Sequence, residues 1–225
     1  TKQKNKTLLE GENLIGIKAT DFLGQINEKN VSLFIDSKSP KIHKTEPAKN
    51  KVTNGSFSIK YTEENIKEVL LSWNPTANLT SQCNEPGKNV VCDVQINNNL
   101  SNFSAYNGQN ITYWINMTDI ATHTASSKPT MVFVDTTAPV INFFNHSISG
   151  KTVEFVILIT EANFDEANYV DLSQSNPKEV QLCSKLSSGV CNKKKTFKTG
   201  AHNLTINVLD DAGNSAMQNL NFTIS

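Results

Sequence analysis

The feature that most constrains this chain is self-similarity with a period near one hundred residues. A unit of that length is large enough to be a domain with its own core. Asp36-Ser37-Lys38-Ser39-Pro40-Lys41-Ile42 returns as Asp135-Thr136-Thr137-Ala138-Pro139-Val140-Ile141, an offset of 99. Thr62-Glu63-Glu64-Asn65-Ile66 returns as Thr160-Glu161-Ala162-Asn163-Phe164 at 98, and Cys83 and Cys92 return as Cys183 and Cys191 at 100 and 99. A closing segment occurs three times, ending on Asp21, Asp119 and Asp210. The predicted organisation is therefore a partial unit over 1–36 that holds only closing strands, a complete unit over 37–135, and another over 136–225.

Each copy alternates apolar and polar residues, the pattern of half-buried strands. The closing copies place Ile15/Ile17/Ala19, Tyr113/Ile115/Met117 and Leu204/Ile206/Val208 on one face, and earlier strands do the same with Phe57/Ile59/Tyr61 and Val153/Phe155/Ile157/Ile159. A turn follows each closing Asp, and a last strand carries Val31/Leu33/Ile35, Thr130/Val132/Val134 or Leu220/Phe222/Ile224. Strand, turn and strand make a hairpin. Strands at about 8–12-residue spacing without helical periodicity predict an all-β chain of tandem antiparallel β-sandwiches.

The Asp-Thr-Thr-Ala-Pro-Val-Ile opening, the Thr-Glu turn and the Asp-Asp-Ala-Gly-Asn closing turn resemble immunoglobulin-like repeats of prokaryotic, including archaeal, cell-surface and filament proteins. The resemblance spans the whole chain and is specific for fold rather than function, since such repeats serve as stalks, adhesin arms, surface-layer parts and filament subunits. The middle copy departs from it, with Asp119-Ile120-Ala121-Thr122-His123 in place of the glycine-containing turn.

Lysine plus arginine and aspartate plus glutamate both number 21, so no net charge gathers nucleic acid. Lys193-Lys194-Lys195 reads as a solvated loop tip. No stretch approaches a membrane span, and Thr1 opens a polar segment without a signal-like apolar core, so the chain is expected to be processed or a fragment.

The four cysteines pair most simply within repeats, Cys83 with Cys92 and Cys183 with Cys191, as links between adjacent strands or within one loop; thiols that bind zinc are the alternative. Disulfides imply an oxidising, extracellular setting. On that reading neither Trp73 nor Trp114 is the core tryptophan of an antibody domain. Sequons for N-linked glycans fall at Asn5, Asn30, Asn54, Asn78, Asn99, Asn102, Asn110, Asn116, Asn145, Asn203 and Asn221, roughly twice the number that the asparagine, serine and threonine content gives by chance. Several of them are expected to carry sugar, although a polar strand face built from asparagine and threonine also creates unused sequons.

His43, His123, His146 and His202 have no metal-ligand spacing and read as solvated loop or strand residues, and neither a nucleophile elbow nor a phosphate loop occurs. No enzyme and no cofactor are expected. Calcium is the better chemical candidate: Asp135, Glu161 and Asp210 or Asp211 could converge at one end of a sandwich, with Asp36, Glu63 and Asp119 as counterparts. Ordinary turn chemistry explains the same residues.

The function expected is a non-enzymatic structural component of an extracellular surface appendage, stalk or filament, with Pro40 and Pro139 stiffening the joints. Neighbouring copies of the chain are its expected partners. An adhesin that recognises another cell or a surface glycan, and a surface-layer segment, are the alternatives. The partial unit at the start could complete a sandwich in a neighbouring subunit by strand addition, or its missing half could lie upstream in the full-length chain.

Overall fold

The computed structural model describes residues 7–96 and 102–225. Two compact units interleave along the sequence, Thr1–Glu46 with Ser58–Val94 and Tyr113–Pro129, and Pro47–Phe57 with Gln95–Thr112 and Thr130–Ser225.

The chain opens with β1 (Gly11–Thr20) and β2 (Ile26–Ile35), which pair antiparallel as a two-stranded sheet. Next come β3 (Lys41–Glu46), β4 (Val52–Thr53), β5 (Ser56–Glu63), β6 (Ile66–Ser72), β7 (Thr76–Asn78), β8 (Gly87–Gln95), β9 (Asn110–Asp119), β10 (Thr124–Ser126) and β11 (Thr130–Val134). Their sheet orders are β3-β5-β8 and β4-β11-β9-β6-β7, with β10 added to β9. β4 runs parallel to β11. A single 3₁₀ turn, Phe103–Tyr106, precedes β9.

The last repeat holds seven strands, β12 (Val140–Ser149), β13 (Thr152–Thr160), β14 (Phe164–Asp171), β15 (Glu179–Cys183), β16 (Val190–Thr196), β17 (Gly200–Asp210) and β18 (Ser215–Ile224). They form a three-stranded sheet, β12-β13-β16, and a four-stranded one, β15-β14-β17-β18. Their inner faces meet in one cluster that includes Val153, Phe155, Ile157, Leu204, Ile206 and Val208, all fully buried. Strict alternation produced this core, because successive side chains point to opposite faces.

The register repeats with the sequence. β6 meets β9 with Ile66 opposite Asp119, and β14 meets β17 with Phe164 opposite Asp210. A bulge follows in both, between Ile66 and Glu68 and between Phe164 and Glu166. β3 and β12 carry equivalent irregularities at Ile42/Lys44 and Ile141/Phe143.

The disulfides are Cys83–Cys92 and Cys183–Cys191, with Cα atoms 5.5 and 5.8 Å apart. Cys183–Cys191 does not join adjacent strands of one sheet or staple a single loop, as proximity in sequence suggested. Cys183 ends β15 in the four-stranded sheet, whereas Cys191 lies on β16 in the three-stranded one. Between them the chain crosses the open edge of the sandwich, so cysteines eight residues apart sit on opposite sheets. Cys83 lies in the segment between β7 and β8 and is tied to Cys92 on β8. Trp73 is buried at the end of β6 and Trp114 is half-buried on β9.

All three closing turns have the same geometry, including the one whose sequence departs. The closing Asp donates its N–H to a carbonyl four residues on, Asp21 to Gln25, Asp119 to His123 and Asp210 to Asn214. The position that returns an N–H to the Asp carbonyl has positive φ: Gly24 at 82°, Thr122 at 71° and Gly213 at 86°. A β-branched residue is out of place there, costing about 1–2 kcal/mol against glycine. Thr122 is exposed, so nothing but the backbone objects to it. Thr122→Gly is therefore expected to raise stability by about 1 kcal/mol. Gly213→Thr, where a Cβ would meet no atom within 4 Å, should lower it by a similar amount. Equilibrium denaturation in urea measures both.

Candidate functional sites: two acidic turn clusters and a buried histidine

Each closing turn of a complete repeat holds an Asp against two acidic residues from elsewhere in the sequence. In one cluster Asp36, Glu63 and Asp119 are all buried and bring one carboxylate oxygen each within 4.8 Å of one another. In the other Asp135, Glu161 and Asp210 do the same. These are the residues that the repeat analysis singled out, and Asp210 rather than Asp211 is the member from the last hairpin.

The scaffold of each cluster is built from conserved spacing within the chain. The first Asp directly follows a closing strand, Glu63 ends β5 and Glu161 directly follows β13, and the last Asp begins the closing turn. Asn65 Nδ2 donates to Asp36 Oδ2 at 3.0 Å, and Asn163 Nδ2 to Asp135 Oδ2 at 2.7 Å. The same asparagines accept a backbone N–H with their carbonyls, from Ile120 and Asp211 respectively. Glu63 Oε1 accepts the Glu64 and Asn65 N–H groups, and Glu161 Oε1 accepts that of Asn163. Asp210 Oδ1 accepts from Ala212 and Asn214 N–H, and its Oδ2 from Asn214 Nδ2. In the middle copy His123 takes over both tasks, giving its backbone N–H to Asp119 Oδ1 and its Nδ1 to Asp119 Oδ2 at 2.8 Å. A histidine thus replaces the asparagine of the glycine-containing turn and keeps its two bonds to the closing Asp.

Turn chemistry and cation chemistry meet in these clusters. The backbone bonds position the carboxylates, and among the described ion pairs no lysine reaches them. Carboxylates so close repel unless a proton or a hard cation relieves them. Burial pushes the Glu63 carboxyl above the usual range; the Asn65 and Glu64 N–H bonds pull it down, and the charges of Asp36 and Asp119 push it up again. A carboxyl raised in the folded state gains stability as pH falls through its folded value. Next to the first cluster lies a cavity of about 640 Å³, bordered by Gly11, Phe34, Pro40, Glu63 and Asn65 among others.

The histidines divide. His43 is exposed, and His123 and His146 are half-buried, but His202 is only 5% exposed, against the expectation that all four are solvated. It lies on β17, whose inner face faces the core, and the alternation that placed Leu204 inward places His202 inward too. Its Nδ1 meets Asp171 Oδ2 at 2.7 Å and its Nε2 meets the Lys198 carbonyl at 2.8 Å. Both ring nitrogens face oxygen atoms, so the doubly protonated ring is the form that satisfies both bonds. Phe197 and Phe222 flank it at 5.0 and 5.2 Å between ring centroids, close enough for their faces to favour a cation. Burial pushes the His202 pKa down, but the Lys198 and Asp171 bonds outweigh it and hold it above the ordinary value. Burial likewise raises Asp171, yet bonds from Ser173, His202 and Gln174 bring it to about 2.

The cysteines are no part of either acidic cluster. Of the sequon asparagines, Asn30, Asn78, Asn102, Asn110, Asn145, Asn203 and Asn221 are exposed, while Asn54 and Asn116 are half-buried. Asn5 and Asn99 lie outside the described residues. Asn203 and Asn221 stand directly opposite each other on β17 and β18. Sequence reasoning missed the Asp171–His202 pair; the signal was a histidine in phase with the buried positions of its strand.

No family model matches the chain, and no curated protein matches it. Among solved structures it is similar to the FN1–FN3 domains of chicken CNTN1, at 8% identity over 92% of this chain and 76% of that one, with a TM-score of 0.53. The chain has the fibronectin III-like and immunoglobulin-like β-sandwich fold. It is also similar to fibronectin(III)-like modules of Clostridium thermocellum CbhA, at 7% identity over 83% and 94% of the two chains with a TM-score of 0.44. A tetra-tandem repeat in the extending region of a large adhesion protein shares 12% identity over 97% and 57%, with a TM-score of 0.32. These last two scores are too low to carry an argument. In the last repeat the closing strand β17 carries both Asp210 of the acidic cluster and His202.

Two measurements check this account. Carbon-13 NMR titration should place the Glu63 carboxyl above the ordinary glutamate range, and Asp36→Asn should lower it by removing a neighbouring charge. Stability from the imidazolium pair is present below the unfolded histidine value and lost as pH rises through the raised folded one; stability from Asp171 is lost as pH falls towards about 2. Asp171→Asn should cost about 3 kcal/mol near pH 6, by stranding a buried cation, and should flatten the acid limb of the urea-midpoint profile.

Proposed function

We propose that the chain is a non-enzymatic structural segment of an extracellular surface protein, in which tandem fibronectin III-like sandwiches form a stalk or the wall of an appendage. The observation that carries this reading is that every cysteine is engaged in a disulfide, one of which, Cys183–Cys191, links the two sheets of a sandwich. Disulfides of that kind persist where the surroundings oxidise thiols. Closing loops of about ten residues, each contributes about 2–3 kcal/mol by restricting the unfolded chain.

The exposed sequons support the same location. Asparagines on outward strand positions such as Asn203 and Asn221 leave room for a glycan without disturbing the core, because their neighbours Leu204, Leu220 and Phe222 point the other way. No helix among the described residues is long and apolar enough to cross a membrane. The acidic clusters suit the reading as well: they lie where each complete repeat begins, beside Pro40 and Pro139, so they fix the turn at a joint.

Protease treatment of intact source cells, followed by non-reducing peptide mapping, tests the proposal. Expected are release of the chain from intact cells and recovery of Cys83–Cys92 and Cys183–Cys191 as linked peptides, with sugar on several exposed sequons. Because their Cβ atoms are about 5 Å apart, Asn203 and Asn221 should not both be occupied on one molecule. Free thiols in the native protein, or protection from protease until cells are lysed, would overturn the location and with it the function.

A further inference from the structure

The opening hairpin presents as solvent-exposed the face that both complete repeats bury. Aligned on Asp21, Asp119 and Asp210, β1 positions 15, 17 and 19 correspond to Tyr113, Ile115 and Met117 and to Leu204, Ile206 and Val208. Those six residues are 0% exposed. Ile17 is 55% exposed, Ala19 is exposed and Ile15 is half-buried, while Leu33 on β2 is 40% exposed where its counterparts Val132 and Phe222 are buried. An apolar face this large and in register is uncommon on a solvated hairpin.

The complete repeats show what covers such a face. β9 is flanked by β6, and β17 by β14, on the side away from the turn partner, whereas among the described residues β1 pairs with β2 alone. In the last repeat the buried face of β17 also packs on β13 of the opposite sheet. The polar groups carry the same template. In both complete repeats the residue after the closing Asp gives its N–H to an asparagine carbonyl, Asn65 or Asn163, two residues beyond a cluster glutamate. The corresponding group in the hairpin is the N–H of Phe22, a residue 95% exposed. Asp21 already accepts the Leu23 and Gln25 N–H groups as Asp210 accepts those of Ala212 and Asn214.

We infer that β1 is a docking edge for the opening half of another repeat of this design: a strand–turn–strand polypeptide whose turn reads Glu-x-Asn and whose second strand alternates apolar residues inward. It would lie antiparallel to β1 with apolar side chains beside Ala19 and Ile17, as Val69 and Leu71 lie beside Met117 and Ile115. Its glutamate and asparagine would reach Asp21 and the Phe22 N–H. An intact second copy of residues 37–225 is not the occupant, because its opening strands β6 and β14 are already paired with their own closing strands. This goes beyond the stalk reading and stands without it, since it concerns how a sandwich is completed and not where the protein resides.

The probe is a synthetic peptide of residues 150–173, the strand–turn–strand that carries Glu161 and Asn163, added to the full chain. Amide hydrogen exchange along β1 is the readout. Expected is saturable binding that slows exchange of the β1 amides about tenfold or more, with β9 and β17 unchanged. Binding should be lost with Ile17→Asp, a substitution on an exposed face that leaves the two complete repeats intact, and weakened by Asn163→Ala in the peptide. The inference is overturned if β1 gains no protection, if protection survives Ile17→Asp, or if the chain alone dimerises and protects β1 as its concentration rises. The last outcome would make a second copy the occupant.

Discussion

The closing strand is the element on which each sandwich depends. In the last repeat β17 is bonded on both edges, to β14 and β18, and its inner residues Leu204, Ile206 and Val208 lie at the centre of the core. Fully burying such side chains contributes about 1.5–3 kcal/mol each, more than any single turn bond. Its end is fixed by Asp210, which holds its own turn together and meets the acidic residues from the repeat's start and second strand. The strand that fills the core therefore also places the polar cluster. His202, on the same inward row, extends the arrangement to the other end of the strand, where its charge is held by Asp171 and the rings of Phe197 and Phe222.

Much of this was legible in the sequence because the repeat allowed one copy to interpret another. Alternation along Val153–Ile159 and Leu204–Val208 gave both strands and inward faces, and the offsets of 99 and 98 residues at Asp36 and Glu63, with the recurring closing segment that ends on Asp119, marked these three as one candidate group. The disulfides were harder. Nearness along the chain suggests nearness within a sheet, but β15 and β16 belong to different sheets, and the sequence between Cys183 and Cys191 has no mark of the crossing. The middle turn was obscured for a different reason. Thr122 replaces a glycine at a backbone position that chemistry disfavours, and tertiary bonds from Asp119 and Asn65 hold it there.

Local pattern also failed in the opening hairpin, where alternation predicts a buried face and the structure leaves it open. Alternation reports what a strand can bury, not whether a partner is present to bury it. The exposure of Ile17 beside the complete burial of Ile115 and Ile206 is thus a difference of company rather than of sequence.

The central claim, that closing hairpins are stable only inside a completed sandwich, is tested most directly by native-state hydrogen exchange of the chain alone. β17 amides should exchange only with global opening of their repeat, while β1 amides, with the same alternation but no covering strands, exchange orders of magnitude faster. Equal protection of β1 and β17 in dilute, monomeric protein would contradict it.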